Sequence, residues 1–203
     1  RMITILVTFY PVGAFIAPFI SSSIIKAGLS WRFIYYIIIF LISINIILYA
    51  VVKGRKKESA FVQKEARLSV KEIFTDKSKN LIFIVIFLAI SFYCCSETIV
   101  ATWAPTFFRD ARNLGVQSAS IALNLFWLFI IIGRIISMVI SDRVKATTVM
   151  MFISILAIAS MSIVVFLYNE FLIFFLISLA GLGYSALFPL LYAKGTMLYD
   201  KGR

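Results

Sequence analysis

The feature that most constrains this chain is a series of long apolar runs separated by short polar segments. In helical form, about 20 apolar residues cross the roughly 30 Å hydrocarbon core of a bilayer. Six runs in the 203 residues reach that length. They cover residues 2–25, 33–52, 81–108, 118–141, 147–167 and 171–193. We therefore predict an all-α, polytopic membrane protein with six transmembrane helices.

The composition supports a lipid environment and argues against an enzyme. Hydrophobic residues make up 62% of the chain and charged residues 14%, whereas a soluble domain is about half apolar and one-quarter charged. The chain contains no His, the commonest general base and metal ligand. Its two cysteines, Cys94 and Cys95, are neighbours in an apolar run and are expected to act as small hydrophobic residues. We predict no catalytic residues, no metal site and no cofactor.

The positive charge is concentrated in one segment, which fixes the expected orientation. Nine of the 20 Lys and Arg residues lie in residues 53–80. If the loops alternate sides, one side receives 15 cations and the other four, with Arg134 inside a run. The positive-inside rule therefore places the 53–80 loop in the cytoplasm. We predict a multi-pass plasma membrane protein that contacts the lipid bilayer and does not bind nucleic acid.

Two ionisable residues lie inside the apolar runs. Glu97 is about three residues past the middle of its run, so it lies about 5 Å from the bilayer centre. A carboxylate at that depth costs on the order of 3 kcal/mol by insertion scales and must face protein or a water-filled cavity. Glu97 is therefore expected either to bind a substrate, proton or cation, or to form a structural ion pair with Arg134.

Other polar and aromatic residues recur at helical spacing on the third, fourth and sixth runs. Such faces are typical of a cavity for a small polar molecule. Trp103, five residues from the outer end of its run, is also explained as an interfacial anchor. The predicted substrate and ion pathway consists of Tyr93, Glu97, Trp103, Asn124, Trp127, Ser185 and Tyr192.

The first run and the turn after it carry a motif. Small residues and a proline follow one another as Gly13-x-x-x-Ala17-Pro18, which permits close helix packing and a bend. The turn reads Gly28-Leu29-Ser30-Trp31-Arg32. Together they resemble the fifth-helix motif and the following Gly-x-x-Trp-Arg turn of the major facilitator superfamily. That resemblance implies a gating role for Gly13 and Pro18.

The end of the fourth run carries a second motif, GRIISMVISDRV. It is similar to the cytoplasmic loop signature of the same superfamily as it recurs between helices eight and nine. Gly133 and Arg134 match the Gly-Arg that precedes the signature, and Asp142 and Arg143 match its Asp-Arg turn. The resemblance implies that these four residues control conformational change.

The third run, FYCCSETIVATWAPTFFRD, resembles the seventh helix of sugar permeases related to fucose permease. The six runs would then be helices five to ten of a partial major facilitator fold, within a longer protein. Residues 1–52 would end the N-terminal bundle, residues 53–80 would form the central cytoplasmic loop, and residues 81–203 would begin the C-terminal bundle.

The resemblance implies a secondary transporter of a small polar, sugar-like solute that works by alternating access and is driven by a proton or cation gradient. Two alternatives stay open. One is a drug or metabolite efflux permease, and the other is a transport-inactive membrane sensor or scaffold. The oligomeric state is not predicted.

Overall fold

In the computed structural model, residues 2–55, 77–140 and 144–200 are described, and this part of the chain forms seven helices and no strand. The helices are α1 (Met2–Lys26), α2 (Arg32–Arg55), α3 (Lys77–Asp110), α4 (Val116–Ile140), α5 (Ala146–Val164), α6 (Glu170–Tyr184) and α7 (Leu187–Asp200). The prediction of an all-α membrane protein is confirmed.

Five segments of the described chain are long and apolar enough to cross a membrane, judged by length and composition. They are Arg32–Val51, Leu81–Asp110, Val116–Ser137, Ala146–Val164 and Glu170–Gly195. The apolar stretch described in α1, Phe9–Ser21, is shorter. The order of helices follows the six predicted runs, except that the sixth run is divided between α6 and α7.

The described residues form two compact units. The first contains those of Arg1–Phe15 and Lys77–Arg203, and the second contains those of Ile16–Asp76. The division of the chain at the 53–80 loop stays a prediction, and residues 56–76 of that loop lie outside the described part of the chain.

The second unit contains the end of α1, the turn that follows it and α2. Gly28 in that turn has a φ of 72°, in the left-handed region that glycine adopts without strain. Beside it, the Arg32 guanidinium lies 5.6 Å from the centre of the Trp31 ring. The described side chains of α2 are exposed or half-buried along its length, as expected for an apolar helix surface that faces lipid.

The first unit is built around α6, which packs against both α4 and α5. Two glycines make this possible. A Cβ at Gly181 would lie 3.2 Å from the carbonyl carbon of Phe126 in α4, and one at Gly183 would lie 2.6 Å from the amide nitrogen of Ala157 in α5. Residues two apart on a helix point about 200° apart, so each glycine serves a different neighbour. Small residues bring membrane helices into contact in this way.

The break between α6 and α7 lies at Ser185 and Ala186 and has a cause in the sequence. Pro189 has no amide hydrogen, so the Ser185 carbonyl, four residues earlier, loses its helical partner. The end of α6 tightens, with the Ser185 amide donating to the Leu182 carbonyl at 3.3 Å. The regular pattern resumes where the Leu190 amide donates to the Ala186 carbonyl at 3.1 Å. We call Ser185–Ala186 the helix break.

Helix α3 lies next to the helix break because of its contacts with other helices. Helix α3 packs against α4 and α7, and α5 also contacts α7. The buried core between these helices consists mainly of aromatic and branched apolar side chains, including Phe108, Phe126, Ile130, Ile173 and Ile177. Buried among them are two charged residues, Glu97 on α3 and Arg134 on α4.

Candidate functional site

The centre of the site is a buried carboxylate in α3. Glu97 is 8% exposed, and its Oε1 atom accepts a hydrogen bond of 3.0 Å from the Tyr93 hydroxyl, one helical turn earlier. Tyr93 is also buried. Tyr93 and Glu97 therefore lie on one face of α3, and that face contacts protein, as an intramembrane acid requires.

The same hydroxyl reaches the helix break. The Tyr93 oxygen lies 3.1 Å from the carbonyl oxygen of Tyr184, the last residue of α6. On the other side of the break, the Arg134 Nε donates to the Ser185 carbonyl at 2.9 Å. This is the carbonyl that Pro189 leaves without a helical partner. Arg134 thus pairs with the Ser185 carbonyl, and the Tyr93 hydroxyl lies within hydrogen-bond distance of the Tyr184 carbonyl; polar backbone groups inside a membrane require such partners.

Gly133 and Arg134, both predicted from the second motif, contact the break together. A Cβ at Gly133 would lie 2.5 Å from the Ser185 Cβ, so the absence of a side chain lets Ser185 approach α4. Ser185 is buried, and its hydroxyl donates to the Leu182 carbonyl at 2.7 Å. Asp142 and Arg143 lie outside the described residues.

Glu97 and Arg134 also act on one another. The positive charge of Arg134 attracts the Glu97 carboxylate and interacts with the Tyr93 hydroxyl. Such attraction is strong where the dielectric constant is low. The ion pair with Arg134 and a functional role for Glu97 both stay predictions, and Arg134 also donates a hydrogen bond to the helix break.

Tyr10 on α1 completes the cluster and was missed by the sequence analysis. Its ring meets the Trp127 ring edge to face, with centroids 5.7 Å apart. Its hydroxyl interacts electrostatically with Glu97 and Arg134, while the residue is 60% exposed. The available signal was a phenol inside an apolar run next to Pro11. We call Tyr10, Tyr93, Glu97, Trp127 and Arg134 the Glu97 cluster.

The two predicted residues of α4 differ in their surroundings. Trp127 is buried and contacts the Phe126 ring at 5.6 Å as well as Tyr10. Asn124 is half-buried, and its Oδ1 atom is buried without a hydrogen-bond partner among the described residues. An amide oxygen has two lone pairs, so this atom keeps unused acceptor capacity.

Two other predicted residues lie apart from the buried acid. Trp103 is 62% exposed and six residues beyond Glu97, on another face of α3. Tyr192 is exposed, and its ring stacks on Phe188 at 6.4 Å; Phe188 in turn lies 6.2 Å from the Tyr93 ring. Tyr192 is therefore connected to the cluster through one aromatic residue, whereas both the pathway role and the interfacial-anchor role of Trp103 stay predictions.

Neither residue of the first motif is fully buried. Gly13 is exposed, and a Cβ there would meet no atom of the described residues within 4 Å. Pro18 is half-buried.

A cavity of about 460 Å³ opens between α3, α5 and the α6–α7 segment. Its lining is largely apolar. The hydroxyls of Ser96 and Ser154 in its wall donate to carbonyls of their own helices, at 2.9 and 2.8 Å. Tyr93 and Tyr184 line it, but Glu97 does not. Because a polar solute needs polar partners, the Glu97 cluster rather than this cavity is the candidate site.

Comparison with known proteins places the chain in one family. The family model described as Major Facilitator Superfamily matches residues 1–203. No curated protein and no solved structure matches the chain. Because the family match covers every residue, and because the apolar helices described above suit membrane spans, the chain belongs to the Major Facilitator Superfamily of membrane transporters.

Proposed function

We propose that the protein containing this chain is a secondary active transporter of a small polar, sugar-like solute, moved by alternating access and driven by an ion gradient. The observation that carries the proposal is the buried Glu97 carboxylate, hydrogen-bonded to Tyr93 in a membrane-spanning helix. Ionisable groups inside membrane helices mark substrate and ion pathways. The sugar-like solute is supported by the resemblance of α3 to fucose permease-like transporters.

The solute would bind against the exposed side of the Glu97 cluster. Hydroxyl groups of a sugar can donate to the Glu97 carboxylate and to the Asn124 Oδ1, while the Trp127 and Tyr10 rings offer apolar faces for stacking. This combination of few polar partners and aromatic walls is common in small-molecule sites. Trp103, Ser185 and Tyr192 stay predicted pathway residues.

The gating role proposed for Gly133 and Arg134 is supported by their contacts with Ser185. A broken helix provides a place where a bundle can change shape without losing its whole hydrogen-bond ladder. Asp142, Arg143, Gly13 and Pro18 stay gating predictions on the basis of the family motifs alone.

Uptake by the full-length protein in proteoliposomes tests the function. A panel of labelled sugars, other polar metabolites and hydrophobic cations would be offered with and without a pH or sodium gradient. We expect uptake of a polar solute that rises when a gradient is imposed. Gradient-driven movement of hydrophobic cations alone would support efflux instead, and no movement of any solute under any gradient would contradict the proposal.

Glu97→Gln tests the site within that assay. Hydrogen bonds to charged groups contribute about 1.5–3 kcal/mol, and about 1.4 kcal/mol is a factor of ten, so we expect transport efficiency to fall about 10- to 100-fold. The matched control is Glu170→Gln, an exposed acid in the first turn of α6. Equal transport by both variants would remove Glu97 from the pathway.

The cytoplasmic position of residues 53–80 and the plasma membrane location are also proposals. They are supported by the nine cations in that segment. Cysteines introduced there in whole cells should react with a membrane-impermeant thiol reagent only after the membrane is opened.

A further inference from the structure

The Tyr93 hydroxyl faces two acceptors with one proton. It lies 3.0 Å from the Glu97 Oε1 and 3.1 Å from the Tyr184 carbonyl oxygen. A phenol has a single O–H to donate, and a carbonyl or an ionised carboxylate can only accept. Both distances therefore cannot be full hydrogen bonds at once while Glu97 is ionised.

The conflict disappears when Glu97 gains a donor. A protonated Glu97 donates its own O–H to the Tyr93 oxygen, which frees the Tyr93 proton for the Tyr184 carbonyl. When Glu97 is ionised, its charge attracts the Tyr93 proton, because charge-assisted hydrogen bonds are roughly twice as strong as neutral ones. The Tyr184 carbonyl then loses this partner inside the membrane, where none is supplied by water.

The two acceptors belong to different parts of the machinery. Glu97 is the acid of the proposed pathway, whereas Tyr184 is the last residue of α6 before the helix break. The break is held on its other side by Arg134, which donates to the Ser185 carbonyl. The Tyr184 carbonyl is thus the part of the break whose hydrogen bond depends on the state of Glu97.

We propose that Tyr93 is a positioning residue that couples the state of Glu97 to the helix break: a neutral Glu97 stabilises the break, and an ionised Glu97 weakens it. The role of this coupling in transport rests on the proposed function. The experiment that tests the coupling itself does not require transport. A solute donor that occupies the carboxylate would release the Tyr93 proton in the same way as a bound proton.

Titratable and charged groups that face Glu97 influence whether its side chain is ionised or neutral. Tyr10 faces it from α1, Tyr93 and Cys94 from its own helix, and Arg134 from α4. The simultaneous hydrogen bond of Arg134 to Ser185 means that movement at the break would also change the charge near Glu97.

A double-mutant cycle tests the coupling without requiring transport. Amide hydrogen exchange is measured by mass spectrometry on peptides covering residues 184–190 of the full-length protein in lipid nanodiscs. Glu97→Gln supplies a permanently neutral side chain with its own N–H donors. At alkaline pH we expect exchange in Glu97→Gln to be about two- to tenfold slower than in the unmodified protein, the factor expected for one net hydrogen bond.

Tyr93→Phe removes the shared hydroxyl and provides the second arm of the cycle. When Tyr93→Phe is already present, adding Glu97→Gln should not change exchange at residues 184–190. When the control Tyr36→Phe is present instead, Glu97→Gln should slow exchange as much as it does alone. Tyr36 is exposed on α2. An equal effect of Glu97→Gln with and without the Tyr93 hydroxyl would overturn the proposal.

If Tyr93→Phe does not fold, pH dependence in the other two proteins decides. After correction for intrinsic exchange rates, the exchange rate of residues 184–190 in the unmodified protein should approach that in Glu97→Gln as the pH falls. The corrected rate in Glu97→Gln should not depend on pH. Equal exchange at every pH would also overturn the coupling. If the protein transports a solute but fails this test, the proposed function stands and the coupling is wrong. If it passes this test but transports no solute, the coupling stands and the proposed function is wrong.

Discussion

Replacement of Gly183 by valine should separate α5 from α6 and destabilise the first unit. A Cβ at this position would lie 2.7 Å from both the Cα and the Cβ of Ala157, whereas ordinary van der Waals contact begins at 3.4 Å. The closest contact, 2.6 Å to the Ala157 amide nitrogen, requires the two helices to move apart by about 0.8 Å for the Cβ alone, since protein interiors have little free volume to absorb it. The atoms in the way belong largely to the backbone, so no side-chain rotation relieves the contact.

The expected loss is about 3 kcal/mol of the free energy of unfolding. Overpacking in a core costs about 1–3 kcal/mol, and the two further methyl groups of valine place this substitution at the upper end. Gly183→Ala should lose less, because alanine regains up to about 1 kcal/mol of helix propensity over glycine. Equilibrium unfolding of the full-length protein in mixed detergent micelles with increasing dodecyl sulfate measures both values.

Two further variants make this prediction specific. Gly13→Val serves as the control, because a Cβ at Gly13 meets nothing within 4 Å in the part of the chain that the structure describes. The free energy of unfolding should change by less than about 0.5 kcal/mol. Ala157→Gly removes one of the close atoms opposite Gly183 but leaves the amide nitrogen and Cα, so it should restore only part of the stability of Gly183→Ala. If Gly183→Val unfolds like the unmodified protein, the close approach of α5 and α6 is wrong.

Two more predictions concern polar groups. Asn124→Leu removes a buried acceptor that has no partner among the described residues. We expect the free energy of unfolding to rise by up to about 1–3 kcal/mol and transport of polar solutes to fall. Asn45→Leu, on exposed α2, is the control for transport. A decrease in both properties would contradict a solute-binding role for Asn124. Arg112→Leu should lower the melting temperature, because Arg112 contacts two aromatic rings at 5.1 and 4.5 Å and donates to the Val165 carbonyl. Arg109 pairs with an exposed neighbouring acid, so Arg109→Leu should leave the melting temperature unchanged. Equal melting temperatures would show that the Arg112 contacts contribute no stability.

The spans could be predicted because hydropathy reports a property of each segment alone. The pairing of Tyr93 with Glu97 was also accessible, since residues four apart on a helix share a face whatever surrounds it. Both predictions depend on local spacing. The functional roles of these residues stay predictions, because burial and hydrogen bonding position a side chain without identifying its ligand.

The parts that escaped prediction depend on contacts between distant segments. Tyr10 joins the cluster only because its ring contacts Trp127 of α4, which no spacing within either run reveals. Exposure of Trp103 likewise depends on which face of α3 meets a neighbour. The helix break had a local signal in Pro189, but proline is tolerated in membrane helices, so its effect on Ser185 required the structure.

The helix break also bears on how the protein enters the membrane. Alone in lipid, the segment from Glu170 to Gly195 would carry the Ser185 carbonyl without a helical partner and the Tyr184 carbonyl without the Tyr93 hydroxyl. An unsatisfied carbonyl in lipid costs several kcal/mol. The partners of these two carbonyls, Tyr93 and Arg134, lie on helices that precede this segment in the chain and leave the ribosome first. Stable insertion of the last segment is therefore contingent on the earlier helices already being in place, so a substitution at either partner would appear as a defect of assembly as well as of transport.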